Sequence, residues 1–570
     1  MIDADTEKLA RCEQCGYCSS ACPLTGVEQF NIRRLLRHVE LELSDEIAAT
    51  PQPWQCAVCG RCESVCPNGV PILGIVRALR AIAPPELRPT GPPPCVQACA
   101  AGIDIPGYLR FIARGDPSRA LALIFESVPF PGILGRVCPH PCEDRCTRAQ
   151  VNQAVAICSL KRFAADRAEG LPQGALAVQP DSGRRVAVVG AGPAGLTAAF
   201  YLRQQGHAVT VFEAAAAPGG MMRYGIPRYR LPEAVLDAEI ARVLSLGIEL
   251  KTNVALGDEI ALDQLRRDFD AVVVATGLQK SNKLSIEGDD LEGVHWGIEF
   301  LRAAGAGQPV EAGQSVVVIG GGDVALDVAL TALRLGARAV TLVALEGRDQ
   351  LPAHAQEIEA ALADGVTLQC GWGPRRVIGQ DGRVNAVEFL RCSAVFDEAG
   401  AFSPTFADES CTVAADQVIF AIGQQADLSF IGESGETLEV DARGLIAADA
   451  ETGQTARPGV FAAGEIATGP GALIEAIAQG KRLAAAVDRH LGGDGQVVRA
   501  WAERPSADGY DGARPPGFAD QRRSDDPLLP LDQRQVGFDE VVGRLDDELA
   551  VAEAGRCLCC DLERALQLGK

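Results

Sequence analysis

The sequence predicts an α/β protein in which two dinucleotide-binding units, one inserted into the other, follow two mainly α-helical segments rich in cysteine. Three observations support this prediction. Residues 186–213 and 316–343 each combine a β-branched strand, a glycine turn, a helical pattern and a second strand. Fourteen of the 20 cysteines precede the first of these stretches, and three more lie within residues 557–560. A proline-rich stretch, residues 83–94, predicts a stiff linker between the two cysteine-rich segments.

The composition excludes several classes of function. The chain has 570 residues, enough for about four domains of ~150 residues each. Its net charge of −22 argues against a nucleic-acid or anionic-membrane partner. We find no secretory signal and no apolar run of about 18 residues, so we expect a soluble, cytoplasmic protein. In such a protein the many cysteines favour metal ligation over disulfides.

Two near-copies of one cysteine motif lie within residues 1–82. Each has the spacing C-x2-C-x2-C-x3-C-P, in which three cysteines hold one [4Fe–4S] cluster and the fourth crosses to the other. The first predicted ligand set is Cys12, Cys15, Cys18 and Cys66. The second predicted set is Cys56, Cys59, Cys62 and Cys22. Zinc is the disfavoured alternative, because it is bound by pairs of C-x2-C rather than by quartets closed with Cys-Pro.

A helical pattern separates the two quartets at residues 31–43. Together with the sequence CEQCGYCSSACP, this insert resembles the C subunit of heterodisulfide reductase more than a compact ferredoxin. The resemblance implies an electron-relay module with two [4Fe–4S] clusters. Arg33, Arg34 and Arg37 on this helix form either a docking patch or an ordinary solvated helix face.

Residues 95–180 contain a second cysteine-rich pattern, with the sequences CVQACAAGIDIP, GRVCPHPCEDRC and VAICSLKRFAADR. These sequences resemble the small subunit of glutamate synthase and its relatives. The relatives include the amino-terminal part of dihydropyrimidine dehydrogenase and the large subunit of NADH-dependent ferredoxin:NADP oxidoreductase. The resemblance implies a helical domain that holds two [4Fe–4S] clusters and precedes a flavin domain.

The family's R-C-L-x-C motif is missing upstream of Cys95 and reappears at residues 556–560, after an amphipathic helical pattern from Phe538 to Ala554. We therefore expect the tail, residues 496–570, to fold back and supply two ligands. The first helical-domain cluster would use Cys557, Cys560, Cys95 and Cys146. The second would use Cys99, Cys138, Cys142 and Cys158.

Cys158 enters the second set for a specific reason. Relatives place Gln or Glu where this chain has Lys161, and an ammonium group cannot ligate iron. Cys158 lies three residues earlier on the same helix face, although a packed core cysteine is the alternative. The remaining cysteines are interpreted as buried small side chains or bystanders: Cys370, Cys392, Cys411 and Cys559.

The first dinucleotide fingerprint contains Gly190, Gly192 and Gly195, whose spacing allows a tight turn, approach of a pyrophosphate and close helix packing. Glu213 lies where an acid takes ribose hydroxyls. The family resemblance, carried by PGGMMRYGIPRYRLP at residues 218–232, implies that the cofactor is FAD. It adds Gly219, Gly220, Gly277, Gly464 and Glu465, the last replacing the Asp of relatives. The predicted FAD domain spans residues 181–312 and 426–495.

The second fingerprint opens the inserted unit, residues 313–425, which we assign to a nicotinamide dinucleotide. The predicted binding residues are Gly320, Gly322, Asp323, Ala325 and Glu346. NADPH-using relatives carry Tyr-Arg-Arg where this chain has residues 344–346, Ala-Leu-Glu. A carboxylate suits free ribose hydroxyls and repels a 2′-phosphate, so we expect NAD(H) rather than NADP(H).

The sequence therefore predicts two interleaved Rossmann-like domains for FAD and NAD, preceded by two iron–sulfur domains. We expect an oxidoreductase that moves electrons between NAD(H) and ferredoxin or an iron–sulfur partner subunit, through FAD and up to four [4Fe–4S] clusters. No acid–base residue and no C-x4-C redox pair beside the flavin is predicted. Two alternatives remain: the small subunit of a glutamate synthase-like enzyme, and an electron-wiring subunit of a larger, even bifurcating, reductase. A hetero-oligomer is expected.

Overall fold

The computed structural model of the protein describes residues 8–171, 174–431, 438–498, 504 and 509–567. The chain divides into two compact units. The first unit comprises Met1–Ala175, Ala500–Asp526 and Arg544–Lys570, and the second comprises Leu176–Arg499 and Pro527–Gly543. The C-terminal stretch therefore alternates between the units. Within the described ranges, no helix combines the length and the apolar character that a membrane crossing requires.

Short helices around a shared apolar core form the amino-terminal part of the first unit. They are α1 (Tyr17–Ala21), α2 (Ile32–Glu40), α3 (Ser44–Ala48), α4 (Gln52–Gln55), α5 (Arg61–Ser64) and α6 (Ile72–Ile82). Helix α2 begins at Asn31, whose side chain accepts a hydrogen bond from the Arg34 N–H at 3.1 Å. The inward face of α2 buries Ile32, Leu35 and Leu36 in this core, and this packing fixes the position of the helix and of its polar outer face.

A second group of helices completes the long segment of the first unit. They are α7 (Pro94–Ala98), α8 (Ile105–Ala113), α9 (Pro117–Phe125), α10 (Pro131–Val137), α11 (Pro141–Asp144) and α12 (Ile157–Arg167). Asp104 and Asp116 cap the starts of α8 and α9 through backbone N–H groups at 3.0 Å. Helices α10 and α12 touch at Gly135, where an added Cβ would lie 2.6 Å from the Arg162 Cα. This close crossing brings Cys138, which directly follows α10, near Cys158 on α12.

The second unit is an α/β structure built on two parallel sheets. Its strands are β1 (Arg185–Val189), β2 (Ala208–Glu213), β3 (Glu249–Thr252), β4 (Ala271–Val274), β5 (Lys280–Ser281), β6 (Val294–Trp296), β7 (Ser315–Ile319), β8 (Ala339–Ala344), β9 (Thr367–Cys370), β10 (Trp372–Gln380), β11 (Arg383–Phe396), β12 (Phe402–Ala414), β13 (Gln417–Phe420), β14 (Gln424–Gln425) and β15 (Val460–Ala462). Its helices are α13 (Pro193–Gln204), α14 (Met221–Tyr224), α15 (Glu233–Leu244), α16 (Leu262–Asp268), α17 (Gly297–Gly305), α18 (Asp323–Arg334), α19 (Ala355–Ala363), α20 (Glu465–Thr468), α21 (Leu473–His490) and α22 (Leu531–Arg534).

The two parallel sheets have the strand orders β15-β4-β1-β2-β3 and β6-β13-β7-β8-β9. The first sheet takes β15 from beyond the inserted unit, which is the interleaving that the sequence predicts. The second sheet takes its edge strand β6 from residues 294–296, so the predicted boundary at residue 313 falls inside this sheet. An antiparallel sheet of β10, β11 and β12 packs beside it through a shared apolar cluster.

The C-terminal stretch differs in part from its predicted form. The sequence indicated a helix from Phe538 to Ala554, but helix α23 spans only Asp547–Gly555 and is capped by Asp546. Residues before it are extended: Leu528 pairs with Val542, and the Val541 N–H donates to the Tyr229 carbonyl at 3.0 Å within the second unit. The last helix, α24 (Cys560–Gln567), lies in the first unit.

Candidate functional site

A cavity of about 730 Å³ lies in the second unit, at the carboxyl ends of the strands of the first sheet. This size falls within the range of cofactor and ligand pockets. Seven of the nine residues predicted to bind FAD line it: Gly190, Gly192, Glu213, Gly220, Gly277, Gly464 and Glu465. The other two, Gly195 and Gly219, lie behind the lining and shape the turn. The Gly219 N–H donates to the Ala191 carbonyl at 2.9 Å.

Close backbone packing explains the glycines of this turn. A Cβ on Gly195 would lie 2.0 Å from the Gly190 carbonyl oxygen, so only glycine lets α13 start directly behind β1. A Cβ on Gly220, whose φ is +52°, would lie 2.8 Å from the Gly192 Cα. The start of α13 thus presents its free backbone N–H groups and its positive dipole end to the cavity, which suits a pyrophosphate.

The two carboxylates of the cavity have different surroundings. Glu213 accepts hydrogen bonds from the backbone N–H groups of Ala191 and Ala215, both at 2.8 Å, so it ties the glycine turn to the end of β2. Glu465 is desolvated, and burial raises the pKa of its carboxyl, against a 3.3 Å hydrogen bond from the Gly471 N–H. Both side chains can accept hydrogen bonds from hydroxyl groups of a ligand.

Sequence reasoning missed an ionic group at the edge of the same cavity. Asp327 on α18 lines the cavity and accepts two hydrogen bonds from the Arg230 guanidinium, at 2.8 and 2.9 Å. Burial raises the pKa of Asp327 to about 6, although Arg230 opposes the rise. The sequence held a weak signal, because Arg230 falls in the PGGMMRYGIPRYRLP stretch and Asp327 in the second fingerprint. Nothing in the sequence indicated that these two residues pair with each other.

The second glycine turn lies between β7 and α18. Four of the predicted NAD-binding residues lie at this turn or in the first turn of the helix: Gly320, Gly322, Asp323 and Ala325. Asp323 contacts His354, which donates its backbone N–H at 2.9 Å and approaches with Nδ1 at 2.7 Å. Glu346 follows β8 and faces the turn, since a Cβ on Gly321 would lie 2.8 Å from its Oε2.

The N-terminal cysteines form two crossed sets in the first unit. One cavity is lined by Cys12, Cys15, Cys18 and Cys66, and we call it the Cys12 cavity. We call the other set the Cys56 group: Cys22, Cys56, Cys59 and Cys62. Burial raises the pKa of Cys22, Cys56 and Cys62, and the neighbouring thiols of the group add to the rise. In each set, three cysteines from one motif are joined by the last cysteine of the other.

The helical part of the first unit holds two further cysteine sets. The Cys95 cavity is lined by Cys95, Cys146, Cys557 and Cys560. It therefore combines cysteines separated by more than 400 residues along the chain. The Cys99 group surrounds the buried Lys161 and consists of Cys99, Cys138, Cys142 and Cys158. Burial lowers the pKa of Lys161, but the neighbouring thiols outweigh burial and raise it overall.

The chemistry of these sets fits iron–sulfur clusters better than single metal ions. Among the described residues, no three histidine, cysteine or carboxylate side chains converge as ligands of one ion. Burial raises the pKa of Cys56 and of Cys560 to about 11, so without metal these thiols stay neutral. Backbone N–H groups point at Cys56, Cys66 and Cys557 Sγ at 3.4 Å, the type of hydrogen bond that tunes a cluster.

Four cysteines lie outside these sets. Cys370, Cys392 and Cys411 lie in the second unit, on or beside the antiparallel sheet. Cys559 lies between two lining residues of the Cys95 cavity but does not line it. Its φ of +50° turns the chain there, and its own N–H donates to the Cys557 Sγ.

Three family models match the chain. The model of pyridine nucleotide-disulphide oxidoreductases matches residues 184–480. The model of dihydropyrimidine dehydrogenase domain II, a 4Fe-4S domain, matches residues 90–171, and the model of the 4Fe-4S dicluster domain matches residues 8–70. The two cysteine-rich segments are therefore each similar to known 4Fe-4S domains.

Several characterised proteins are similar over most of the chain. The NADP(+)-dependent formate dehydrogenase subunit beta of Moorella thermoacetica is 38% identical over 82% of this chain and 70% of its own length. The NADPH-Fe(3+) oxidoreductase subunit beta of Geobacter sulfurreducens is 34% identical over 82% of this chain and 75% of its own. The NAD-dependent dihydropyrimidine dehydrogenase subunit PreT of Escherichia coli is 37% identical over 70% of this chain and 91% of its own.

Proposed function

Since this chain belongs to the pyridine nucleotide-disulphide oxidoreductase family, among its FAD- and iron–sulfur-containing members, we propose that it exchanges electrons between NAD(H) and a ferredoxin-type acceptor. One observation carries the proposal. Among the described residues, no cysteine lines the cavity of the second unit, whereas sixteen cysteines form four sets of four in the first. A flavin in that cavity has no disulfide to reduce, so its electrons leave through clusters.

The protein supplies binding, orientation and a path, while the cofactors supply the redox chemistry. Bound FAD would take a hydride from NADH and give up its two electrons singly. For each NADH oxidised, one NAD+, one proton and two singly reduced acceptor molecules are formed. The residues at the two glycine turns would hold the dinucleotides. Glu213 would accept hydrogen bonds from ribose hydroxyls of FAD, and Glu465 would accept them from hydroxyls of the ribityl chain. The direction reverses when a low-potential donor reduces the clusters.

We propose four [4Fe–4S] clusters, one for each cysteine set. The Cys12 cavity and the Cys56 group would hold the N-terminal pair, and the Cys95 cavity and the Cys99 group the helical pair. Lys161 cannot ligate iron, which leaves Cys158 as the fourth ligand of the Cys99 group. The chain purified without oxygen should then contain one FAD and about sixteen iron atoms, four for each cluster.

We propose that NADH is the preferred nicotinamide. Glu346 faces the second glycine turn, and a carboxylate there would repel the 2′-phosphate of NADP(H). The similar proteins include both NADP- and NAD-dependent forms, so this choice depends on the residues of this chain. Glu346→Arg should raise kcat/KM for NADPH about tenfold or more and lower it for NADH. The control is Glu409→Arg, the same charge change on the exposed strand β12.

The proposed activity is tested by anaerobic reduction of a viologen dye with NADH. The isolated chain should reduce the dye, at a rate that NADH supports better than NADPH. Comparable kcat/KM values for the two nucleotides would overturn the nicotinamide preference. Absence of dye reduction by a chain that contains FAD and iron would overturn the proposed electron transfer.

We also propose that the chain works as a subunit of a hetero-oligomer. All three similar proteins carry the word subunit in their names. Size determination after affinity capture of the chain from its native extract tests this. A single stoichiometric partner that contains its own catalytic or iron–sulfur site is the expected result, and the chain alone is the contrary one.

A further inference from the structure

We propose that an acidic electron-carrier protein docks on a basic surface beside the Cys12 cavity, formed by Arg33, Arg34 and Arg37 of α2, and exchanges electrons with the cluster there. This inference rests on the proposed function and adds to it the place where electrons leave the chain and the charge of the protein that takes them. The alternative is that these arginines only solvate an exposed helix face.

Exposure singles out the Cys12 cavity. Of the sixteen cysteines proposed as ligands, all of them within the described residues, Cys15 alone is exposed. Tyr17 lines the same cavity, and 61% of its surface is exposed. Electron transfer between proteins requires the two cofactors to come close together, so the cluster nearest the surface is where a carrier can react. An exposed tyrosine beside it is typical of the residues that protein interfaces bury.

The arginines lie at the edge of this cavity. Arg33 lines it, and a Cβ on Gly16 would be 3.4 Å from Arg33 Nη1, which places the guanidinium against the loop that carries Cys15 and Tyr17. Arg33 and Arg34 are exposed, and within the described part of the chain neither forms an ion pair. Arg37 bonds Glu40 at 2.9 Å and keeps half of its side chain exposed.

Three cations packed into the remaining cysteine sets are buried. Beside the Cys56 group, Arg80 is 5% exposed and donates to the Cys56 carbonyl. Arg148 lines the Cys95 cavity and is 1% exposed, and Lys161 within the Cys99 group is 4% exposed. Those cations are enclosed and cannot meet another protein. The cations at the Cys12 cavity face solvent, so they are free to attract one.

The overall charge of the chain makes this surface selective. With a net charge of −22, the chain repels an acidic carrier over most approaches. Exposed guanidinium groups beside one cluster reverse that field locally and orient the carrier toward the cavity. The rigid support beneath α2, with Leu35 and Leu36 buried, keeps the arginines in place.

Charge reversal tests the surface directly. The variant Arg34→Glu/Arg37→Glu, at two arginines that do not line the Cys12 cavity, is compared with Arg338→Glu/Arg383→Glu, an equal change of charge at exposed arginines of the second unit. The readouts are NADH-driven reduction of a negatively charged two-cluster bacterial ferredoxin, of positively charged cytochrome c, and of a viologen dye. Iron content and the cluster signals in EPR are recorded for each variant.

The expected result is a rise of about tenfold or more in KM for ferredoxin at ~0.05 M salt for Arg34→Glu/Arg37→Glu only, a rise that vanishes at ~0.5 M salt. Its cytochrome c KM should fall, and its iron content and viologen rate should match the wild type. Should iron be lost, Arg34→Gln/Arg37→Gln replaces the variant, with a smaller rise in ferredoxin KM expected.

Equal KM changes in both double variants, or none in either, would overturn the docking surface while leaving the proposed function intact. Failure of the wild-type chain to reduce viologen would overturn the proposed function itself, so the two failures are distinguished.

Discussion

The two cysteine-rich parts of the first unit are built in contrasting ways. The N-terminal pair, the Cys12 cavity and the Cys56 group, draws every cysteine from one stretch, residues 12–66. The Cys95 cavity instead combines residues 95–146 with residues 557–560. The difference teaches that a local motif can complete its own site, whereas a divided site needs a separate structure that anchors the distant segment.

That anchor is a buried network of charges and backbone groups. Arg556 is 1% exposed, donates to Glu553, and also donates to the Gln153 carbonyl at 2.7 Å. Glu553, fully buried, accepts the backbone N–H groups of Ala156 and Ser524 at 2.8 and 2.7 Å. The arginine just before the cysteines thus fixes their position relative to the helical part.

The largest effect is expected from removing the two proposed cluster ligands that the tail contributes to the Cys95 cavity. Cys557→Ser/Cys560→Ser should lose one cluster, about four of sixteen iron atoms, because the remaining two thiols cannot hold it. The N-terminal clusters should keep their EPR signals. Cys559→Ser is the matched control, since Cys559 does not line the cavity. Iron analysis that shows no difference between the two variants would refute the divided site.

Anchoring can be separated from ligation by changing Arg556. Arg556→Leu leaves Glu553 buried without its cation and should destabilise the first unit by about 3–5 kcal/mol. Thermal unfolding followed by circular dichroism measures the change. Arg167→Leu breaks the exposed pair with Asp547, another contact of the tail, and should leave Tm nearly unchanged. Equal shifts in Tm for both variants would contradict a buried anchor.

The Cys99 group offers a finer test, because its proposed fourth ligand is local. Cys158→Ala should convert its cluster to a three-iron form with a distinct EPR signal, a loss of about one iron atom per chain. Its Sγ lies 3.4 Å from the Leu134 carbonyl, so a packed, metal-free cysteine is the competing role. Cys411→Ala in the second unit is the control. An unchanged four-iron signal in Cys158→Ala would exclude ligation by Cys158.

The smallest expected effect lies in the second unit, which has no cysteine set. The raised pKa of Asp327, about 6, means that the folded unit binds this proton more tightly than the unfolded chain does. The stabilisation is complete below the unfolded pKa of about 3.8 and is lost as pH rises through 6. From pH 5 to pH 7 the loss is about 1 kcal/mol. Denaturant unfolding should show this slope in wild type and not in Asp327→Asn.

Sequence reasoning succeeded where spacing alone defines a structure. The fold class of two interleaved dinucleotide-binding domains and the relation to FAD and iron–sulfur oxidoreductases are confirmed. Gly195 is required by a contact with the Gly190 carbonyl oxygen five residues earlier, and such a local contact leaves a spacing in the sequence. The ligand sets themselves, including the tail cysteines and Cys158, remain predictions until iron is measured.

Sequence reasoning failed where contacts between residues far apart along the chain decide the structure. Residues 538–546 carry a helical pattern but form no helix in the structure, because Phe538 and Val541 pack against apolar residues of the second unit. Strand β6 belongs to the sheet of the inserted unit, although the predicted boundary of that unit is residue 313. The three residues of β6 carry no pattern that indicates pairing with β13. The Asp327–Arg230 pair joins positions 97 residues apart.

The divided Cys95 cavity has a consequence for how the protein is made. A ribosome releases Cys557 and Cys560 only after the whole second unit up to Gly543 has been synthesised, so a cluster in the Cys95 cavity would be completed late in synthesis. The N-terminal pair would have no such delay. Assembly of the proposed clusters would then be ordered along the chain, and a polypeptide terminated before residue 557 would lack two of the sixteen proposed ligands.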